Sequence, residues 1–231
     1  VRWSGQITVT ESGEYALRAS GGFGRLTLDG KQLGGRGATP TQFVTLEAGK
    51  YYPVALEMAD RFGGMNMELQ WSRRGRDYAA EAVAAAKKAD VALLFLGLSP
   101  RLEGEEMPVQ VQGFSGGDRL TIDTPKAQED LMRAVAATGT PTVLVLPTGS
   151  ALAVNRAAAT IPAIVEAWYP GQAAGTAIAD VLFGDYSPAG RLPVTFYRSL
   201  DQMPPFEDYS MKERTYKYFT GKPLYPFGHG L

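Results

Sequence analysis

Along residues 1–73 apolar and polar side chains alternate with the two-residue period of strands that bury one face. The segments are Gln6-Ile7-Thr8-Val9-Thr10, Tyr15-Ala16-Leu17-Arg18-Ala19, Arg25-Leu26-Thr27-Leu28, Val44-Thr45-Leu46, residues 51–58, and Met67-Glu68-Leu69-Gln70-Trp71. Turns separate them at Glu11-Ser12-Gly13-Glu14, Asp29-Gly30 and Ala48-Gly49-Lys50. Asp29-Gly30 is the strongest of these signals, because both residue types tolerate the positive φ that a two-residue hairpin needs. Many short strands with glycine turns predict a small all-β sandwich over residues 1–75.

Near Gly75-Arg76-Asp77 the period changes, and residues 76–231 read as a second domain. An Ala-rich helix is predicted over residues 79–89, then a continuous apolar run over 91–96 that has the character of a strand buried on both faces. A helix follows over 125–137, with Pro125 in its first turn, Asp123 or Thr124 as cap, and Leu131 and Val135 on one buried face. Strand 142–146, short helix 150–159, strand 163–168 and helix 172–183 continue the alternation. This order predicts an α/β fold with a doubly wound parallel sheet. After Phe183 a turn-rich loop enters an edge strand at Pro193, and the aromatic tail to Leu231 is expected to wrap the sheet.

Charge and composition narrow the function. Lys and Arg number 23 against 24 Asp and Glu, a net charge of -1, and no basic block tracks a phosphate backbone, so nucleic acid is not an expected partner. With 0 Cys and 1 His there is no disulfide framework and no thiolate metal site, and no cofactor or structural zinc is expected. The longest apolar run is far shorter than the roughly 20 residues that cross a bilayer, and no signal-peptide pattern opens the chain, so no membrane partner is expected. Val1-Arg2-Trp3-Ser4-Gly5 reads like the middle of a strand, which leads us to expect an upstream portion. The sequence leaves the compartment open, a periplasmic or secreted location included.

The candidate chemistry sits after strand 91–96, where Glu103, Glu105 and Glu106 crowd into one loop. Loops leaving the carboxyl ends of strands are where open α/β sheets bind ligands. The plainer reading of such a cluster is a solvated acidic turn. Gly113 to Gly117 hints at a phosphate cradle, but no Lys-Ser/Thr follows and the spacing fits no dinucleotide fingerprint, which leaves a nucleotide-binding α/β protein as a distant rival.

Val1-Arg2-Trp3-Ser4-Gly5, Ser12-Gly13-Glu14-Tyr15 and Leu26-Thr27-Leu28-Asp29-Gly30-Lys31 resemble the protective-antigen-type β domain. That resemblance implies a module that rims a pocket or binds carbohydrate, so a non-catalytic carbohydrate-binding module is the alternative function. Some such domains hold calcium on adjacent aspartates; here Asp29 and Asp60 are isolated, and calcium is not expected.

A second resemblance covers residues 79–231. It rests on Leu102-Glu103-Gly104-Glu105-Glu106, on Gly116-Gly117-Asp118-Arg119, and on Trp168-Tyr169-Pro170-Gly171-Gln172. It rests also on the stretches 179–186 and 188–193 and on Tyr225-Pro226-Phe227-Gly228-His229-Gly230-Leu231. Together these resemble the C-terminal α/β-sandwich domain of glycoside hydrolase family 3, into which a protective-antigen-type domain is inserted in the β-glucosidase and β-xylosidase branches. The resemblance implies a retaining exo-acting β-glycosidase that cleaves terminal β-glucosyl or β-xylosyl residues from oligosaccharides. It also implies that a TIM-type barrel outside this chain supplies an aspartate nucleophile in a motif ending Asp-Trp, a pair absent from this sequence. The chain by itself is then expected to be inactive.

By the same resemblance the acid/base glutamate falls on Glu105, with Glu103 second, since Gly-Glu-Glu departs from the usual glycine after the catalytic residue. Glu103, Asp118 and Arg119 are the implied substrate-binding candidates, although an ion pair between Asp118 and Arg119 that fixes the loop is the plainer role for those two. A local turn bond is expected at His229, and core packing at Trp168 and Tyr169.

Overall fold

The computed structural model describes residues 1–20, 23–34, 40–59, 68–107, 109 and 111–231. Asp60 and Met67, named above, lie outside the described residues. The chain divides into two compact units, Val1–Asp77 and Tyr78–Leu231.

The first unit is built from seven strands: β1 (Arg2–Ile7), β2 (Gly13–Ser20), β3 (Phe23–Leu28), β4 (Lys31–Gln32), β5 (Gln42–Leu46), β6 (Tyr52–Ala59) and β7 (Glu68–Arg73). They form two antiparallel sheets, ordered β1-β6-β3-β4 and β5-β2-β7. Asp29 at φ 49° and Gly30 at φ 75° make the two-residue turn between β3 and β4. Leu17, Leu26 and Leu46 are almost wholly buried and pack with Ile7, Val9 and Tyr52 as one core. Each such leucine contributes about 1.5–3 kcal/mol by leaving water.

The second unit opens with α1 (Tyr78–Ala86) and β8 (Ala92–Phe95). A short hairpin of β9 (Phe114–Ser115) and β10 (Asp118–Arg119) follows, then α2 (Lys126–Ala136), β11 (Thr142–Leu146), α3 (Asn155–Thr160), β12 (Ala163–Glu166), α4 (Ala174–Phe183) and α5 (Thr215–Tyr218). The three longer strands run parallel in the order β12-β11-β8, the fold of an α/β domain. Leu144, Leu146, Leu98, Met132 and Ala157 form the main core under α2 and α3. Ala86, Ala92 and Val135 form a smaller one beside it. Met132 and Val135 are the fully buried positions of α2, with Leu131 packed at its edge.

Several expectations are corrected here. β8 is covered on one face only: Ala92 is buried, whereas Leu93 and Phe95, which point the other way, are 45% and 54% exposed. α2 has Pro125 at its cap and no side-chain cap, because Asp123 accepts from Thr121 and Thr124 turns to Glu129 instead. The helix expected from residue 150 begins only at Asn155, since the polar groups ahead of it are bonded elsewhere: Arg119 takes Ser150 and the Ala151 carbonyl, and Ala153 N–H donates to Ile122. The edge strand expected at Pro193 reduces to one bridge, Phe196 with Tyr225. Leu192 and Gly228 bond across the same gap, so the two ends of the tail pair with each other while Leu224 and Tyr225 pack on the main core.

Candidate active site

The backbone leaving β8 is held before it reaches the glutamates. Gly97 N–H donates to Gln128 Oε1 at 2.8 Å, and Gln128 Nε2 donates to the Gly97 carbonyl at 2.7 Å. A turn follows in which Leu102 and Glu103 N–H groups both donate to Ser99 O, at 2.9 and 3.1 Å. The loop is then stapled to the β9–β10 hairpin by Gly104 N–H to Gly117 O at 3.2 Å and Met107 N–H to Gly116 O at 2.7 Å. The approach is so close that a Cβ on Gly117 would lie 1.9 Å from Gly104 O.

Glu103 is the convergence point. Its Oε1 accepts from Ser150 Oγ at 2.5 Å and its Oε2 from the Tyr169 hydroxyl at 2.9 Å. Ser150 follows β11 and Tyr169 follows β12, so the carboxyl ends of three neighbouring parallel strands each deliver one member. Gly149 leaves room for the tyrosine ring, since a Cβ there would lie 2.6 Å from it. Burial first, and then the Glu103 carboxylate, push the Tyr169 phenol up to about 12, so it remains a donor throughout the physiological range.

Behind Ser150 stands Arg119. Its Nη1 donates to Ser150 Oγ at 2.6 Å and to Ala151 O at 2.8 Å, and its Nε donates to Thr121 O at 3.1 Å. Nη2 is buried without a partner among the described residues. Burial lowers the guanidinium below its ordinary value, against the opposing pull of Glu103, Asp123 and Tyr169. Guanidinium, hydroxyl and carboxylate thus form a chain in which the cation polarises the serine O–H that holds Glu103.

The remaining candidates are placed differently. Glu105 and Glu106 are exposed, and Glu106 adopts φ 50°. Asp118 is exposed while its neighbour Arg119 turns inward, as successive strand residues do, and no ion pair joins them. His229 N–H donates to Pro226 O at 3.1 Å, a local turn bond, and its ring stacks on Tyr225 at 4.7 Å. Trp168 meets Phe196 edge to face.

Sequence reasoning passed over three groups. The sequence pattern places Ser150 at a helix start and Tyr169 in packing, yet both lie just past a parallel strand's carboxyl end, the position that singles out the glutamates. The third is Glu166, the last residue of β12, whose Oε1 accepts from Trp168 N–H at 3.1 Å while Oε2 is buried without a partner among the described residues. Burial pushes this carboxyl up to about 8. Among the described residues no cluster of three or more His, Asp or Glu side chains is arranged to hold a metal, and no helix is long and apolar enough to cross a membrane.

The glycosyl hydrolase family 3 C-terminal domain model matches residues 3–231. A xylan 1,4-beta-xylosidase of Xylanibacter ruminicola is 42% identical over 231 residues, covering 97% of this chain and 27% of the relative. A periplasmic beta-glucosidase of Salmonella typhimurium is 41% identical over 163 residues, covering 65% of this chain and 20% of the relative. Among solved structures, a beta-glucosidase from Kluyveromyces marxianus in complex with glucose superposes with a TM-score of 0.78 at 27% identity, covering 100% of this chain and 30% of that one. The chain therefore spans about a quarter of the length of the curated relatives it matches, 27% and 20% for these two.

Proposed function

The chain belongs to the glycosyl hydrolase family 3 C-terminal domain family, and from that premise we propose that it supplies the general acid/base of a retaining β-glycosidase acting on terminal β-xylosyl or β-glucosyl residues. A retaining glycosidase needs two carboxyl groups about 5–5.5 Å apart: one forms the glycosyl-enzyme, and the other protonates the leaving oxygen and then activates water. In this reading the nucleophile belongs to a domain outside this chain, a TIM-type barrel, and the substrate is an oligosaccharide.

The observation that carries the reading is the division of labour within one loop. Both oxygens of Glu103 are occupied by Ser150 and Tyr169. Glu105, two residues on, is exposed and has no side-chain partner among the described residues. The first carboxylate anchors the loop; the second is free to meet a glycosidic oxygen presented from outside. Asp118, paired through its backbone with Ser115 in the hairpin beside that loop, is exposed and its side chain has no partner among the described residues. Arg119 acts through Ser150 on Glu103 rather than on sugar.

Full-length enzyme with Glu105→Ala tests the assignment. A nitrophenyl β-xyloside, whose leaving group needs little protonation, should retain the first step, and added azide should restore turnover as a glycosyl azide. Near-normal turnover without azide would remove Glu105 from the mechanism.

A further inference from the structure

We propose that a hollow in the C-terminal segment, sharing no residue with the glutamate loop, is a binding site for a single pyranose ring of a neutral saccharide. The hollow has a volume of about 380 Å³ and is lined by Thr195, Tyr197, Met203, Arg214, Thr215 and Tyr216, with Pro193, Val194 and Pro204 completing it. That volume falls within the range of small-molecule sites.

Its chemistry is that of sugar recognition. A pyranose presents apolar C–H faces and a rim of hydroxyls, so it asks for a fixed aromatic plane with donors and acceptors beside it. Tyr216 provides the plane: it is stacked on Phe227, with ring centroids 4.2 Å apart and 18° between planes, the flexible Lys217 ammonium lies 5.9 Å from its centroid, and the residue as a whole is 54% exposed. Tyr197 is likewise held, edge to face with Phe219 at 5.0 Å. Holding the rings in advance removes an entropic cost that binding would otherwise meet.

The polar groups are also in place. Thr195 is nine-tenths buried, and its hydroxyl has no partner among the described residues. A buried hydroxyl left unbonded is uncommon and calls for an acceptor or donor from elsewhere. Arg214 is pinned by bonds from Nε to Ser210 O and from Nη2 to Pro205 O and Asp208 O, which leave Nη1 without a partner among the described residues. Thr215, on the lining, adopts φ 57°, a costly conformation for a β-branched residue and one that clusters where ligands are held. Arg214 is the sole charged residue among the described residues of the lining, and the Asp208 carboxylate that feels its charge lies outside that lining, which leaves the guanidinium to meet hydroxyl acceptors.

Titration of the 231-residue chain with xylobiose, followed by backbone NMR shifts, tests this proposal. Saturable shifts confined to the segments 193–204 and 214–216, weakened at least tenfold by Tyr216→Ala and by Thr195→Val with the fold intact by circular dichroism, are expected. No shift up to about 10 mM xylobiose, where even binding of about -4 kcal/mol would saturate, equal binding of 4-nitrophenol, or saturation unchanged in both variants would overturn it. Glu105→Ala is expected to bind xylobiose here as the parent does, so loss of the acid/base reading leaves this site untouched, and the reverse.

Discussion

The Tyr169 hydroxyl donates to Glu103 Oε2 at 2.9 Å, across 66 residues of chain. One bond thereby ties the carboxyl end of β12 to the loop that follows β8, with β11 lying between them. The glutamate's position depends on the register of the sheet and not on its own loop alone.

Tyr169→Phe should cost the isolated chain about 0.5–1.5 kcal/mol in urea unfolding, the usual net worth of one hydrogen bond. Spectrophotometric titration should at the same time lose one phenol that ionises near 12. If the late-ionising phenol persists in the variant, it belongs to another tyrosine and Tyr169 is not the raised group.

Glu103→Ala and Glu105→Ala should part company. Glu103→Ala removes an acceptor shared by two hydroxyls and is expected to destabilise the chain by about 1–3 kcal/mol. Glu105→Ala, at an exposed position, should stay within about 0.5 kcal/mol of the parent. On the proposed acid/base reading, Glu105→Ala in a complete glycosidase should lower kcat on poorly activated substrates by about 10²–10⁴, whereas Glu103→Ala should show no azide rescue. Equal destabilisation in chemical denaturation would contradict this division.

Gly117→Ala is expected to be far worse than Gly116→Ala, though both residues have positive φ, 93° and 61°. At Gly116 a Cβ meets nothing within 4 Å, so the cost is backbone strain alone, of order 1 kcal/mol. At Gly117 it would collide with the Gly104 carbonyl at 1.9 Å, adding about 1–3 kcal/mol of overpacking and displacing the loop. Thermal melts of the two variants measure the difference.

Glu166 makes stability depend on pH. Its carboxyl is raised from 4.5 to about 8 in the fold, so folding takes up a proton between those values. The stabilisation is fully present below pH 4.5 and declines as pH rises through about 8. Glu166→Gln should flatten the stability profile over that window, most visibly at its alkaline end. An unchanged profile in denaturant titrations at several pH values would show that the side chain reaches water.

Much of the fold could be read from pattern alone. Strand 142–146 matches β11 residue for residue, and the Asp29-Gly30 turn lies where two positive-φ positions were expected. Local signals failed where distant partners took over. Ser150 and the residues after it have helical composition, but Arg119, 31 residues earlier, claims the serine hydroxyl and keeps the segment out of the helix until Asn155. The apolar run at 91–96 reveals a strand but not how many of its faces are covered, which is a property of its neighbours. In the site, the glutamates were visible as residue types, whereas the roles of Ser150 and Tyr169 emerged only from strand order.

The bare flank of β8 carries a practical consequence. Leu93 and Phe95 are about half exposed, at 45% and 54%, on a strand whose far edge has no bonded neighbour among the described residues, and Val91 just ahead of it is 50% exposed. Such an edge is a template for another copy's backbone. Purified at high concentration, this polypeptide should self-associate in light scattering, and Leu93→Lys should keep it dispersed; anyone preparing it for crystals or spectra will meet a solubility problem whose origin is a single ribbon of oily side chains.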